Sequence, residues 1–111
     1  MSGMPGFAVI YRWRLKHGME AQFVEAWTLI TELYIARRGG LGSRLHKGPD
    51  NIWYAYAQWA SAEARTAAFA GESLDPAART RMREAVAEQF DEIVLEPVAD
   101  LLVQKTIDEQ I

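Results

Sequence analysis

Cysteine is absent from the 111 residues, which removes disulfides, thiolate nucleophiles and cysteine-ligated zinc or iron–sulfur centres together. Histidine is scarce. Only His17 and His46 occur, and no His, Asp or Glu pair falls at a spacing such as His-x-x-x-His that names a metal site, so no metal is expected. Positive charge is not in excess either: 12 basic residues stand against 15 acidic ones, a net charge of -3, which argues against nucleic acid or an anionic membrane as a partner. No segment approaches the ~20 apolar residues of a membrane helix, and Met1 to Gly6 lacks a basic leader, so a soluble, cytoplasmic protein is expected. Repeats, low-complexity tracts and long linkers are also missing. With 50% of residues apolar, the chain can bury one core but not two, and a single domain over residues 1–111 is expected.

What the chain does have is aromatic strands. Phe7 to Leu15 alternates, with Phe7, Val9, Tyr11, Trp13 and Leu15 on one side and Ala8, Ile10, Arg12 and Arg14 on the other, the period of a half-buried strand. After Lys16-His17-Gly18 the period changes. Met19, Phe23, Trp27, Ile30 and Tyr34 form one apolar helical stripe, with Glu20 in the first turn and Arg37-Arg38 in the last, where the helix dipole favours each sign. Gly39-Gly40 supplies a left-handed stop. Leu41 to Lys47 and Ile52 to Trp59 are extended runs joined by Gly48-Pro49-Asp50-Asn51, which reads as a β-hairpin.

Ser61 is placed to cap a short helix through Ala70, and Asp75 followed by Pro76 marks a further helix start. Met82, Val86, Phe90 and Ile93 give that helix an apolar stripe. Pro97 ends it, and Ala99, Leu101 and Val103 alternate as a last strand against Val98, Asp100, Leu102 and Gln104. The resulting order is β-α-β-β-α-β with the second helix broken in two: a ferredoxin-like α+β fold with a four-stranded antiparallel sheet and helices on one face. The other face is left open and partly apolar, which predicts a homodimer.

Gly40-Leu-Gly-Ser-Arg-Leu, the turn Pro49-Asp50-Asn51, the strand ending at Trp59 and the following Ser61-Ala-Glu-Ala resemble the antibiotic biosynthesis monooxygenase family. Phe7-Ala-Val-Ile-Tyr-Arg-Trp-Arg-Leu and Leu95-Glu-Pro-Val-Ala-Asp-Leu-Leu resemble an uncharacterised branch of it. The resemblance spans residues 7–104 and implies a dimeric α+β barrel. It also implies the activities found in that family, namely cofactor-independent oxygenation of aromatic polyketides or quinols and haem degradation. Three departures narrow this. The strand-one Asn of haem-degrading members is replaced by Tyr11, their helix Trp, a His in many other members, by Ala68, and a common Glu before the strand-ending Trp by Ala57. Haem degradation and a histidine mechanism at that helix position are therefore disfavoured.

Two functions follow. The first is a cofactor-independent monooxygenase acting on a small planar phenol, hydroquinone or polyketide-like substrate, needing no cofactor because the substrate itself supplies electrons to oxygen. Tyr11, Trp13, Trp27, Trp59 and Phe90 are its candidate substrate-binding residues, and Tyr11 and His46 its candidate catalytic residues, because histidine titrates near neutral pH. The alternative is a non-catalytic small-molecule-binding or structural protein on the same barrel, favoured by Ala57 and Ala68. Aromatics at strand and helix spacing also serve simply as core. His17, in a turn, reads as an exposed polar residue. Strand parity puts Arg12, Arg14, Arg44 and His46 on the open face. Asp100, on a last strand beside the first, is expected to pair with Arg12 or Arg14 at a dimer interface or anion site.

Overall fold

A computed structural model describes residues 6–103. Strand β1 (Phe7–Leu15) leads through Gly18, at φ 87°, into helix α1 (Glu20–Arg37). The left-handed φ is one that glycine adopts without a Cβ penalty. Glu20 secures this corner by accepting the Gly18 backbone N–H at 2.9 Å and Asn51 Nδ2 at 3.0 Å. Strands β2 (Ser43–Lys47) and β3 (Ile52–Trp59) form the expected hairpin, with Asp50 and Asn51 at φ 61° and 55° in the turn. Asn51 then ties the turn to the core, donating to the Leu15 carbonyl at 2.9 Å while its side-chain oxygen accepts Trp53 Nε1–H at 3.0 Å.

Helices α2 (Ala62–Phe69) and α3 (Pro76–Glu84) each start on the expected cap: Ser61 Oγ accepts from Ala64 N and Asp75 Oδ1 from Ala78 N, both at 3.0 Å. Strand β4 (Val86–Leu95) completes an antiparallel sheet in the order β2-β3-β1-β4. The ferredoxin-like α+β architecture is thus present, but its last two elements are displaced from their expected positions. The helix starting at Pro76 ends at Glu84, and Val86, Phe90 and Ile93 belong to a strand. Residues 96–103 carry no regular secondary structure, and Gln104 lies outside the described residues.

Bulges in β4 explain the misreading. Leu15 faces Val86, Arg14 faces Glu88, Arg12 faces Phe90 and Ile10 faces Ile93, so the register slips twice. Two residues of β4, Asp91 and Glu92, lie opposite the single residue Tyr11, as a β-bulge requires. An extra residue turns a spacing of two into a spacing of three, which imitates a helical period in the sequence. Arg12 Nη2 donates to the Asp91 carbonyl at 2.8 Å, satisfying an acceptor at the bulge.

The face of the sheet under the helices carries Val9, Trp13, Leu15, Ala55, Ala57 and Trp59, all buried, against Phe23 and Ala26 of α1 and Ala68 of α2. The core is in two parts. One centres on Trp13, Leu15 and Phe23, the other on Val9, Trp59 and Ala68, and Tyr11 packs against both. The opposite face bears Ile10, Arg12 and Arg14 beside Tyr54 and Tyr56 of β3, Arg44 and His46 of β2, and Phe90 and Ile93 of β4. Arg14 pairs there with Glu88 at 3.2 Å, and the Arg12 and Arg14 guanidinium groups lie 5.6 and 5.7 Å from the centre of the Phe90 ring. No helix among the described residues is long and apolar enough to cross a membrane.

Candidate functional site

Between the helix-covered face of the sheet and the three helices lies a cavity of about 610 Å³, within the range of small-molecule sites. β1 contributes Tyr11 and Trp13; α1 contributes Trp27, Ile30 and Tyr34; β3 contributes Ala57 and Trp59; α2 contributes Arg65 and Phe69. Further walls come from α3, with Arg79, Met82 and Arg83, from β4, with Gln89 and Glu92, and from the segment Gly40 to Ser43 that enters β2. Aromatic edges define its shape. Tyr34, Trp59 and Phe69 meet edge to face with centroids 5.2 to 6.3 Å apart, the geometry favoured by the ring quadrupoles.

One polar constellation interrupts these walls. Arg65 Nε donates to the Tyr11 hydroxyl oxygen at 3.0 Å, and Arg65 Nη2 forms an ion pair with Glu92 Oε1. The guanidinium also lies 5.5 and 5.3 Å from the centres of the Tyr11 and Phe69 rings, within cation–π range. Its side chain is only 17% exposed against 41% for Glu92, so Arg65 sits in the wall and Glu92 nearer the mouth. Local sequence explains the placement. Arg65 lies four residues after the Ser61 cap and shares one side of α2 with Ala68 and Phe69, while the β4 bulge brings Glu92 opposite Tyr11.

Burial pushes the Tyr11 hydroxyl above its ordinary value of 10.0, and its interactions with Arg65 pull it back only in part. Tyr11 is therefore a neutral phenol near pH 7. Burial disfavours the Arg65 charge too, but the bonds to Glu92 and Tyr11 outweigh it and the guanidinium is held more firmly protonated. The Trp59 indole N–H lies near enough to Tyr11 to favour its ionised form slightly. It is nevertheless buried outside hydrogen-bond geometry, with no acceptor among the described residues.

Of the residues singled out in the sequence, Tyr11, Trp13, Trp27 and Trp59 are brought together around this cavity. Phe90 is not: the bulges put it on the open face under Arg12 and Arg14, so it cannot contact a ligand in the cavity from there. His46 also stands on the open face, exposed and paired with Tyr54, away from Tyr11. Arg12, Arg14 and Arg44 are on the open face, as parity required. The expected pairing of Asp100 fails, because the segment after β4 is not a strand; its carboxylate accepts instead from the Leu102 backbone N–H at 3.0 Å. His17 is exposed in its turn. No cluster of His, Asp or Glu able to hold a metal is found among the described residues.

Sequence reasoning missed Arg65, Glu92, Arg79 and Arg83. Arg65 was legible in the spacing Arg65, Ala68, Phe69, whereas Glu92 depends on a bulge that no local pattern announces.

No family model matches the chain, and no curated protein matches it in sequence. Solved structures do match in shape. A cofactor-independent oxygenase, SnoaB, from Streptomyces nogalater is 17% identical with a TM-score of 0.71, over 88% of this chain and 98% of its own. The fold is that of the antibiotic biosynthesis monooxygenases. A monooxygenase of Streptomyces coelicolor, solved with the ligand nanaomycin D, is 19% identical with a TM-score of 0.71 over 90% of this chain and 94% of its own. A candidate antibiotic biosynthesis monooxygenase from Bordetella bronchiseptica is 18% identical with a TM-score of 0.72 over 86% and 100%. At such identities the likeness describes the monooxygenase fold and leaves the chemistry to the site.

Proposed function

We propose that the chain is a cofactor-independent monooxygenase that takes a small planar phenol, hydroquinone or polyketide-like aromatic into the cavity beside Tyr11. The observation that carries this reading is the hydrogen bond from Arg65 Nε to the Tyr11 oxygen. Because that oxygen accepts from Arg65, the phenol's own proton is available to a third group, and the raised pKa keeps the proton in place at neutral pH. A substrate oxygen at this point meets an O–H donor backed by a cation, the arrangement that stabilises a developing phenolate.

The chemistry then belongs to the substrate. Its phenol proton leaves to water, and the electron-rich phenolate reduces dioxygen. One oxygen atom bonds to a ring carbon and the other departs as water, taking the ring hydrogen and the phenol hydrogen. A phenol and O₂ thus become a quinone and water, with all four electrons drawn from the substrate. Trp13, Trp27 and Trp59 hold the ring in place, Tyr11 acts on its oxygen, and Glu92 positions Arg65. The solved oxygenases of the same fold support this reading, one of them described as cofactor-independent.

Oxygen uptake with a panel of hydroquinones, naphthols and anthrones tests it. Uptake that falls sharply in Tyr11→Phe is expected. Tryptophan quenching without oxygen consumption would instead support the binding-protein alternative.

The open face belongs to the same proposal as the seat of a second copy. Tyr54, Tyr56, Phe90, Ile10 and Ile93 lie there between the arginines, and Ile93 is 40% exposed in the single chain. Light scattering at micromolar concentration should give twice the chain mass, and a monomer would refute it.

A further inference from the structure

Two arginines of the cavity wall have no salt-bridge partner among the described residues. Arg79 and Arg83 stand four residues apart on α3, about one helical turn, and both line the cavity. The third guanidinium there, Arg65, is already bonded to Glu92. Arg81, between the two, leaves the cavity and pairs with Glu25 of α1 at 3.0 Å. Among the described residues neither Arg79 nor Arg83 makes an ion pair. The hydrogen bond of Arg79 to the Tyr34 hydroxyl is 3.4 Å long, beyond the usual range. Two unpaired cations on the wall of an aromatic cavity, in a chain whose net charge is -3, run against the general balance. The fork of an arginine matches a carboxylate in shape as well as charge.

We infer that the cavity is built for an aromatic acid, a phenol or hydroquinone carrying a carboxylate, with the anion at Arg79 and Arg83 and the ring oxygen at Tyr11. The inference rests on the oxygenase reading only for the ring at Tyr11. The anion site stands on the α3 arginines themselves, and it adds a specificity that the Tyr11 pair cannot supply: a neutral hydroquinone satisfies Tyr11 but leaves both cations unmatched.

The test is binding under argon, where no turnover occurs, read by quenching of the cavity tryptophans. The probes are naphthohydroquinone and its ring-carboxylated analogue. The acid should bind about ten times more tightly at low salt, with the advantage shrinking as salt rises. Arg79→Gln and Arg83→Gln should each lose most of it, while Arg81→Gln keeps it. Arg83 is exposed on the helix, so that variant keeps its fold, which an unchanged melting temperature verifies. Equal binding of both probes, or an advantage that survives the double Arg79→Gln/Arg83→Gln variant, would overturn the anion site and leave the oxygenase reading intact. A preserved preference without oxygen uptake in air would remove the oxygenase reading and keep the anion site. No quenching by either probe would remove both.

Discussion

The oxygen of Tyr11 accepts the Nε–H of Arg65 at 3.0 Å, and this one contact decides which way the phenol proton of Tyr11 can be given. Replacing Tyr11 by Phe removes the donor and keeps the ring that packs against both halves of the core. Turnover should fall about a hundredfold with little change in ligand affinity. Stability should fall by about 1 kcal/mol, the net worth of one hydrogen bond. Steady-state oxygen uptake and thermal melts measure the two effects separately.

Alkaline stability gives an independent reading of the same residue. The folded pKa of Tyr11 lies above its ordinary 10.0, so the folded state holds a proton that the unfolded chain releases. The associated stability is present in full below pH 10 and is lost as the pH climbs from there through the folded value. Melts between pH 8 and pH 11 should therefore steepen in their decline near pH 10, and Tyr11→Phe should show a shallower decline. Parallel curves for the two proteins would contradict the shift.

At the acid end the responsible group is Glu20. Hydrogen bonds from its own backbone N–H, from Asn51 and from Gly18 hold its pKa below the ordinary 4.5. A depressed carboxylate contributes stability above its unfolded pKa and loses it as the pH falls through the folded one. The wild-type melting temperature should drop below pH 4.5, and Glu20→Gln should start lower at pH 7 but lose less on acidification.

On the open face, Tyr56 lies between Ile10 of β1 and Arg44 of β2. Tyr56→Asp places a charge in the middle of the proposed contact between copies, and such a central position weakens association far more than a rim position does. Sedimentation should report monomer at concentrations where the wild type is expected to sediment as a dimer. The circular dichroism spectrum should be unchanged, because the substitution lies outside the helix-covered core.

Much of the fold was legible because β1, α1 and the hairpin each carry their period without interruption. The Phe7 to Leu15 alternation, the Met19 to Tyr34 stripe and the caps at Ser61 and Asp75 depend on neighbours in sequence alone. β4 was not legible, since its slips at residues 87 and 91 make Val86, Phe90 and Ile93 look helical. The candidate site inherited that error. Its aromatic wall comes from the regular elements and was named, whereas Glu92 stands at a bulge and Phe90, expected on a helix, lies in β4 on the open face. Arg65 shares its side of α2 with Ala68 and Phe69, but nothing local sets Arg79 and Arg83 apart from solvated helix charges, and only packing α3 on the sheet brings them to a cavity.

The slip opposite Tyr11 makes the polarity of the cavity a matter of counting. In a strand of the same sequence without it, strict alternation after Phe90 would turn Asp91 and Ile93 to the cavity and Glu92 to the open face. Arg65 would then lose its present partner, and the shorter Asp91 would stand opposite Tyr11 in place of Glu92. The length of β4 between Phe90 and Ile93 is thus a coarse dial on the chemistry of the chain: inserting or deleting one residue there re-addresses every side chain that follows, with no change of residue type at the site itself.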